Sequence, residues 1–200
     1  MAGSPGENAD HAGFDPALRI DWLEPGQFGD DLPGRLGLTI LPGKQGVSYR
    51  YPGRIYRRDL GEDLAMLRAA GVRRLVLLVE DAELSRWGDP AIVERAGAAG
   101  VTVLRHPMPD GQPPASIAEM REILADVRDG RRSGNVAVAC MGGVGRTGTV
   151  AACALVEAGF TAPAAIGMVR MVRHPSAVET ADQERFVAAY AAAAPAEERA

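Results

Sequence analysis

The sequence predicts an α/β domain, a central, mostly parallel twisted sheet with helices on both faces. Three observations carry that expectation. Strand-like apolar runs alternate with helical segments along the 200-residue chain, the pattern of parallel strands joined by crossover helices. The run RRLVLLVE (73–80) is apolar without alternation, as a strand buried on both faces must be. The composition, 46% hydrophobic with only 5% aromatic residues, suits a core built from Ala, Val and Leu.

Taken in order, residues 1–17 are rich in Gly, Pro, Asn and Asp and read as a flexible tail. LRIDWLE (18–24) and LGLTILPG (36–43) read as strands, separated by Pro25, Gly26, Pro33 and Gly34. Asp59 can cap a helix over 60–70 that Gly71 ends. After the strand at 73–80, PAIVERAGAAG (90–100) is helical and leads into VTVLRHPM (101–108), a strand. Ser116 and Glu119 have capping-box spacing and start a helix through about Arg128. NVAVAC (135–140) is the next strand. Thr147–Ala158 follows as a helix with no polar face, which implies burial. Helices near 161–173 and 180–194 complete a single domain over 18–194, with a tail at 195–200.

A net charge of −4 gives no global case for nucleic-acid binding. No apolar run approaches the ~20 residues of a membrane span. The N-terminus has neither the basic nor the apolar segment of a signal peptide. Two cysteines, Cys140 and Cys153, make no disulfide framework and fit a reducing cytoplasm. The histidines His11, His106 and His174 are too scattered to suggest a metal site, and no cofactor motif is present. GGVGRTGT lacks the lysine of a nucleotide-binding P-loop.

The informative stretch is VAVACMGGVGRTGTV (136–150). A parallel sheet places ligands outside the carboxyl ends of its strands, and Cys140 stands at such an end. The amides of Met141, Gly142, Gly143, Val144, Gly145 and Arg146 can turn inward as an anion nest, backed by a helix N-terminus. Arg146 supplies a planar fork for two phosphoryl oxygens. The same field favours thiolate over thiol at Cys140.

Cys140-x5-Arg146-Thr147 resembles the signature loop of the cysteine-dependent protein tyrosine and dual-specificity phosphatases. HPMPDGQPP (106–114) looks like that family's mobile acid loop, thirty positions before the cysteine, and HPSAVETADQERFV (174–187) like its glutamine loop. LGLTILPG and LVLLVEDAELSRW are similar to the cyclin-dependent-kinase-associated phosphatases, which also carry GGxGR. The resemblance implies a metal-free and cofactor-free phosphatase acting on a phosphorylated protein. In it Cys140 is the nucleophile, Arg146 and the loop amides bind phosphate, and Asp110 is the general acid. Thr147 donates to the sulfur and Gln183 positions water, although Thr180-x-x-Gln183 is equally a capping box.

Cys153 reads as a core residue, and RYPGRIYRR (50–58) as a solvated face that could also dock an acidic or phosphorylated substrate. The family normally has histidine before the nucleophile; here that residue is Ala139. Three competing readings stay open at this point: a phosphoinositide or inositol-phosphate phosphatase, a phosphoprotein-binding pseudophosphatase, and a sulfurtransferase. The sulfurtransferase has no need of the Asp110 segment.

Overall fold

The computed structural model describes residues 17–48 and 50–193; the expected tails fall almost wholly outside this range. In chain order the elements are β1 (Asp21–Leu23), β2 (Leu36–Ile40), β3 (Gln45–Val47), β4 (Ile55–Arg57), α1 (Leu60–Ala69), β5 (Val72–Leu77) and α2 (Asp81–Trp87). There follow α3 (Ile92–Ala98), β6 (Thr102–Arg105), α4 (Ile117–Arg131), β7 (Asn135–Cys140), α5 (Gly145–Glu157), α6 (Ala162–Val172) and α7 (Ala181–Ala193).

Five strands form one sheet in the order β1-β2-β7-β5-β6, with β1 antiparallel and the rest parallel. β7 lies in the middle, pairing Ile40 with Cys140 on one side and Leu77 with Ala139 on the other. Successive side chains of a strand face opposite ways, and β7 uses both faces. Val136, Val138 and Cys140 pack with α4, α5, α6 and α7. Ala137 and Ala139 pack with α1, α3 and Leu84 of α2. The expected two-sided α/β architecture is present.

Local chemistry sets the element ends. Asp59 accepts from the Glu62 amide and starts α1; Ser116 accepts from the Glu119 amide and starts α4. The strand expected over 101–108 stops at Arg105, because Pro107 and Pro109 have no N–H to give a ladder. The chain stays attached there through the amides of His106 and Met108, which donate to Leu77 and Leu78 carbonyls. α5 begins two residues earlier than expected, inside the glycine loop itself.

The stretch 50–58 is mostly solvated, as expected, with residues 51–55 and 57 exposed; it closes a hairpin whose Tyr56 and Arg58 alone turn inward and are buried. Arg58 makes a two-pronged ion pair with buried Asp63 of α1, and the same carboxylate accepts from the Gly43 amide at 2.8 Å. This pair ties the hairpin to α1 beside the carboxyl end of the sheet.

Candidate active site

At the end of β7 the chain turns sharply before α5. Gly143 adopts φ +64°, and a Cβ on it would lie 2.3 Å from the Thr39 carbonyl oxygen, so only glycine fits. Its amide donates to Cys140 Sγ at 3.2 Å. At Gly145 a side chain would press on Glu179 and Gln183 at 3.0–3.1 Å. Of the expected loop residues, Cys140, Met141, Gly142, Val144, Gly145 and Arg146 line a cavity of about 590 Å³, and Gly143 sits behind it.

The thiol is balanced between opposing influences. Burial, the largest, pushes its pKa up. Against it act the Arg146 charge, the Thr147 hydroxyl, and the amides of Thr147 and Val144, and the net result lies below the ordinary thiol value. The Thr147 hydroxyl is buried with no hydrogen-bond partner among the described residues, and its nearness still helps to lower the thiol pKa.

Arg146 is 1% exposed and almost fully committed. Nη1 and Nη2 each donate to Glu83 at 2.7 Å, and Nη1 also reaches the Met108 carbonyl at 2.8 Å. Nη2 meets Asp110 Oδ1 at 2.8 Å. Burial alone would lower the guanidinium pKa, but Glu83, the thiolate and Asp110 raise it above its usual value, so the charge is permanent. Nε is buried with no partner among the described residues. Glu83 did not emerge from the sequence. It lies on α2, a helix opened by a Glu80–Glu83 capping box, where a Ser/Thr-based signature offers no warning.

The expected acid segment and glutamine segment come together. Thr180 Oγ1 donates to the Gly111 carbonyl at 2.9 Å, and Gln183 Nε2 reaches the Gln112 carbonyl at 3.4 Å. Gln183 Oε1 accepts from the Glu179 and Thr180 amides, so its side chain caps α7 while resting on Gly145. His106 is bound to Asp126 of α4 at 2.8 Å and anchors the start of the acid segment. Cys153 is buried in the apolar core, where burial and then Glu157 push its thiol pKa well up.

A further cation emerges at the hairpin. Lys44, 7% exposed, borders the same cavity with its ammonium 4.1 Å from the Tyr56 ring centroid. Its pKa is lowered to about 8, chiefly by burial; Arg54 and Arg50 also lower it, while Cys140 and Asp110 raise it.

A family model described as the Swiss Army Knife protein DSP-PTPase phosphatase domain, PTP-SAK, matches residues 49–198. The chain belongs to this phosphatase family. Cyclin-dependent kinase inhibitor 3 of Rattus norvegicus is 30% identical over 174 residues, 85% of this chain and 77% of that protein. A solved kinase-associated phosphatase, with its catalytic-site cysteine replaced by serine, is 25% identical at a TM-score of 0.76, over 90% of this chain and 98% of that one. Tk-PTP in its active form is 28% identical at a TM-score of 0.65, over 90% and 99%. Among the described residues no helix is long and apolar enough to cross a membrane.

Within this phosphatase domain the departure at Ala139 has a structural setting. Its methyl points to the opposite sheet face from Cys140, fully buried among the α1 and α3 contacts. The loop is braced from elsewhere. Arg173, just after α6, donates from Nε to the Gly143 carbonyl at 2.8 Å and from Nη2 to Gly142 at 3.5 Å, and pairs through Nη1 with Asp21 at 2.7 Å. Carbonyls drawn outward to Arg173 leave the amides facing the sulfur.

Proposed function

We propose that the protein hydrolyses phosphate monoesters on protein side chains, phosphotyrosine foremost, through a cysteinyl-phosphate on Cys140. The observation that carries this is a thiol with lowered pKa at the floor of a cavity, flanked by loop amides and an unpartnered Arg146 Nε. The substrate phosphoryl oxygens take the amides of 141–146 and the Arg146 guanidinium, which stabilise charge as it develops. The thiolate forms the P–S bond as the P–O bond breaks, and Asp110 gives its proton to the leaving oxygen. Water then attacks phosphorus, Asp110 takes its proton, and the P–S bond breaks. Thr147 stabilises the departing sulfur.

In the resting geometry Asp110 rests on Arg146, so an entering phosphoryl group competes for the guanidinium and releases the carboxyl toward the leaving oxygen. The loop itself contains no lysine, which favours a phosphotyrosine side chain over an inositol phosphate at this position. Arg173 supplies bracing that Ala139 does not, which supports turnover over simple phosphoprotein binding. Cys140→Ser should abolish hydrolysis of para-nitrophenyl phosphate and phosphotyrosine peptides while retaining phosphate binding, and EDTA should leave the wild-type rate unchanged. Turnover by the serine variant at the wild-type rate would remove the covalent mechanism.

A further inference from the structure

Four carboxylates line the cavity that holds Cys140, although the ligand proposed for it is a phosphoryl dianion. They are Glu80, Glu83, Asp110 and Glu179. Three are accounted for. Glu83 and Asp110 lie on the Arg146 guanidinium, and Glu80 belongs to the capping box of α2. Glu179 is different. It stands between α6 and α7, has no part in the reaction proposed above, and reaches the loop itself. Its Oε2 lies 3.0 Å from where a Cβ on Gly145 would be, at the first residue of α5.

The backbone that places Glu179 is strained. Val178 has φ +57°, a left-handed conformation that is an outlier for a β-branched residue, and it is buried. Contacts on both sides hold it there. Its amide donates to the Val144 carbonyl at 3.3 Å and its carbonyl accepts from Arg170 Nη2 at 3.4 Å. The Glu179 amide donates to Gln183 Oε1 at 2.9 Å. Strain kept beside a site by its surroundings points to a placement with a use.

Among the described residues one cation lies within ion-pair distance of Glu179. It is Arg50, in the loop that joins β3 to β4. A second contact runs beside this pair. His174 Nδ1 accepts from the Ser176 amide at 3.0 Å, so the neutral ring carries its proton on Nε2, 3.4 Å from the Tyr51 hydroxyl. Burial, then Arg50 and Arg173, lower the His174 pKa and favour that neutral ring. The hairpin tip is thus clasped to the 174–179 segment at the cavity wall. The Arg50 and Glu179 side chains are 27% and 43% exposed, so their pair adds little to folding. Its consequence is local, because an unpaired carboxylate against Gly145 would repel a dianion entering the loop.

We propose that Glu179 is a masked anion at the phosphate site, and that Arg50 is the positioning residue that masks it. While the pair is made, the carboxylate is drawn toward the hairpin and its charge is offset. Without Arg50, Glu179 opposes the phosphoryl group at the loop. This rests on the phosphatase reading for its ligand, and it makes the hairpin tip a control on phosphate affinity rather than a contact for substrate.

The test measures binding apart from turnover, by calorimetry on the Cys140→Ser protein with inorganic phosphate as the probe. Adding Arg50→Met should weaken binding about ten-fold at low ionic strength, and far less in about 1 M salt, where screening leaves a reach of only ~3 Å. Adding Glu179→Gln to that variant should restore the affinity. Glu122→Gln, which removes an exposed carboxylate of α4 outside the cavity, should not. Glu179→Gln without Arg50→Met should bind phosphate at least as tightly as the parent. A loss in Arg50→Met that Glu179→Gln leaves in place means that Arg50 grips the anion itself, and the mask is overturned. Equal losses in the two single variants mean that the pair only holds the hairpin, which overturns it too, as does no loss in Arg50→Met. The expected pattern in a protein whose wild type hydrolyses nothing upholds the mask and unseats only the catalytic reading. No phosphate binding in any variant removes both.

Discussion

Glu83→Gln isolates what holds Arg146 in the cavity. The substitution keeps the shape of the side chain and removes one charge from a pair that is 1% and 9% exposed at its two side chains. Removing one partner of a buried ion pair costs about 3–5 kcal/mol, because the other charge stays buried. Arg146 would keep Asp110 Oδ1 and the Met108 carbonyl, each at 2.8 Å, and the amide oxygen of Gln can still accept one hydrogen bond. The lower end, about 3 kcal/mol, is therefore expected. For a chain of this size that corresponds to a fall in Tm of about 6–12 °C, readable by calorimetry. Activity should fall further than stability explains. A guanidinium drawn toward Asp110 is misplaced for phosphate and holds back the carboxyl, so kcat/KM on phosphotyrosine peptide should drop about 10²-fold at temperatures where the variant is folded. Raising the pH should not restore it, because the missing charge titrates in neither partner. An unchanged Tm with unchanged kcat/KM would mean that Asp110 and the carbonyls suffice to hold Arg146, and the role given to α2 would be wrong.

Asp110→Asn should lower kcat about 10²-fold on phosphotyrosine peptides and less on aryl phosphates with good leaving groups; an equal loss on both would show that Asp110 shapes the site rather than donating a proton. Because the Cys140 pKa is lowered, its alkylation by iodoacetamide should titrate below the ~8.5 of a free thiol. Arg173→Met releases the Gly142 and Gly143 carbonyls and removes a nearby positive charge; both changes disfavour thiolate, so the alkylation profile should move to higher pH. Coincident profiles would show that the loop needs no brace from Arg173. Ala139→His, by contrast, should cost stability by about 1–3 kcal/mol through overpacking of the α1–α3 face, measured by urea denaturation. A fully stable variant with a lowered alkylation pH would return that position to the role of loop histidine.

The parts legible in the sequence were those in which one strong local signal coincides with its tertiary role. β5 and β7 show as apolar runs because both their faces are covered. The glycine loop shows because Gly143 answers a backbone demand no other residue can meet. What stayed hidden depends on distance. β3 and β4 are three residues each, too short for alternation to register, and Val47 and Ile55 point apolar side chains outward, against the expected pattern. Glu83 and Arg146 are 63 positions apart and Arg173 and Asp21 are 152 apart, so neither pair has any local trace. Lys44 is the single lysine of the chain, but nothing local marks its place on the cavity wall, which comes from the Arg58–Asp63 anchor.

The central position of β7 also makes strand register a determinant of chemistry. Its last two residues carry opposite assignments, sulfur toward the α5 side and methyl toward the α1 side, and adjacent strands on both flanks hold them there. A slip or deletion of one residue anywhere between Asn135 and Ala139 would exchange those faces. It would send the thiol into the aliphatic layer and leave the methyl beneath the glycine turn, while the run NVAVAC stayed just as apolar. Conservative point changes along this strand are thus a matter of packing, whereas a change of length, however mild in composition, takes the Cys140 thiol away from the loop amides.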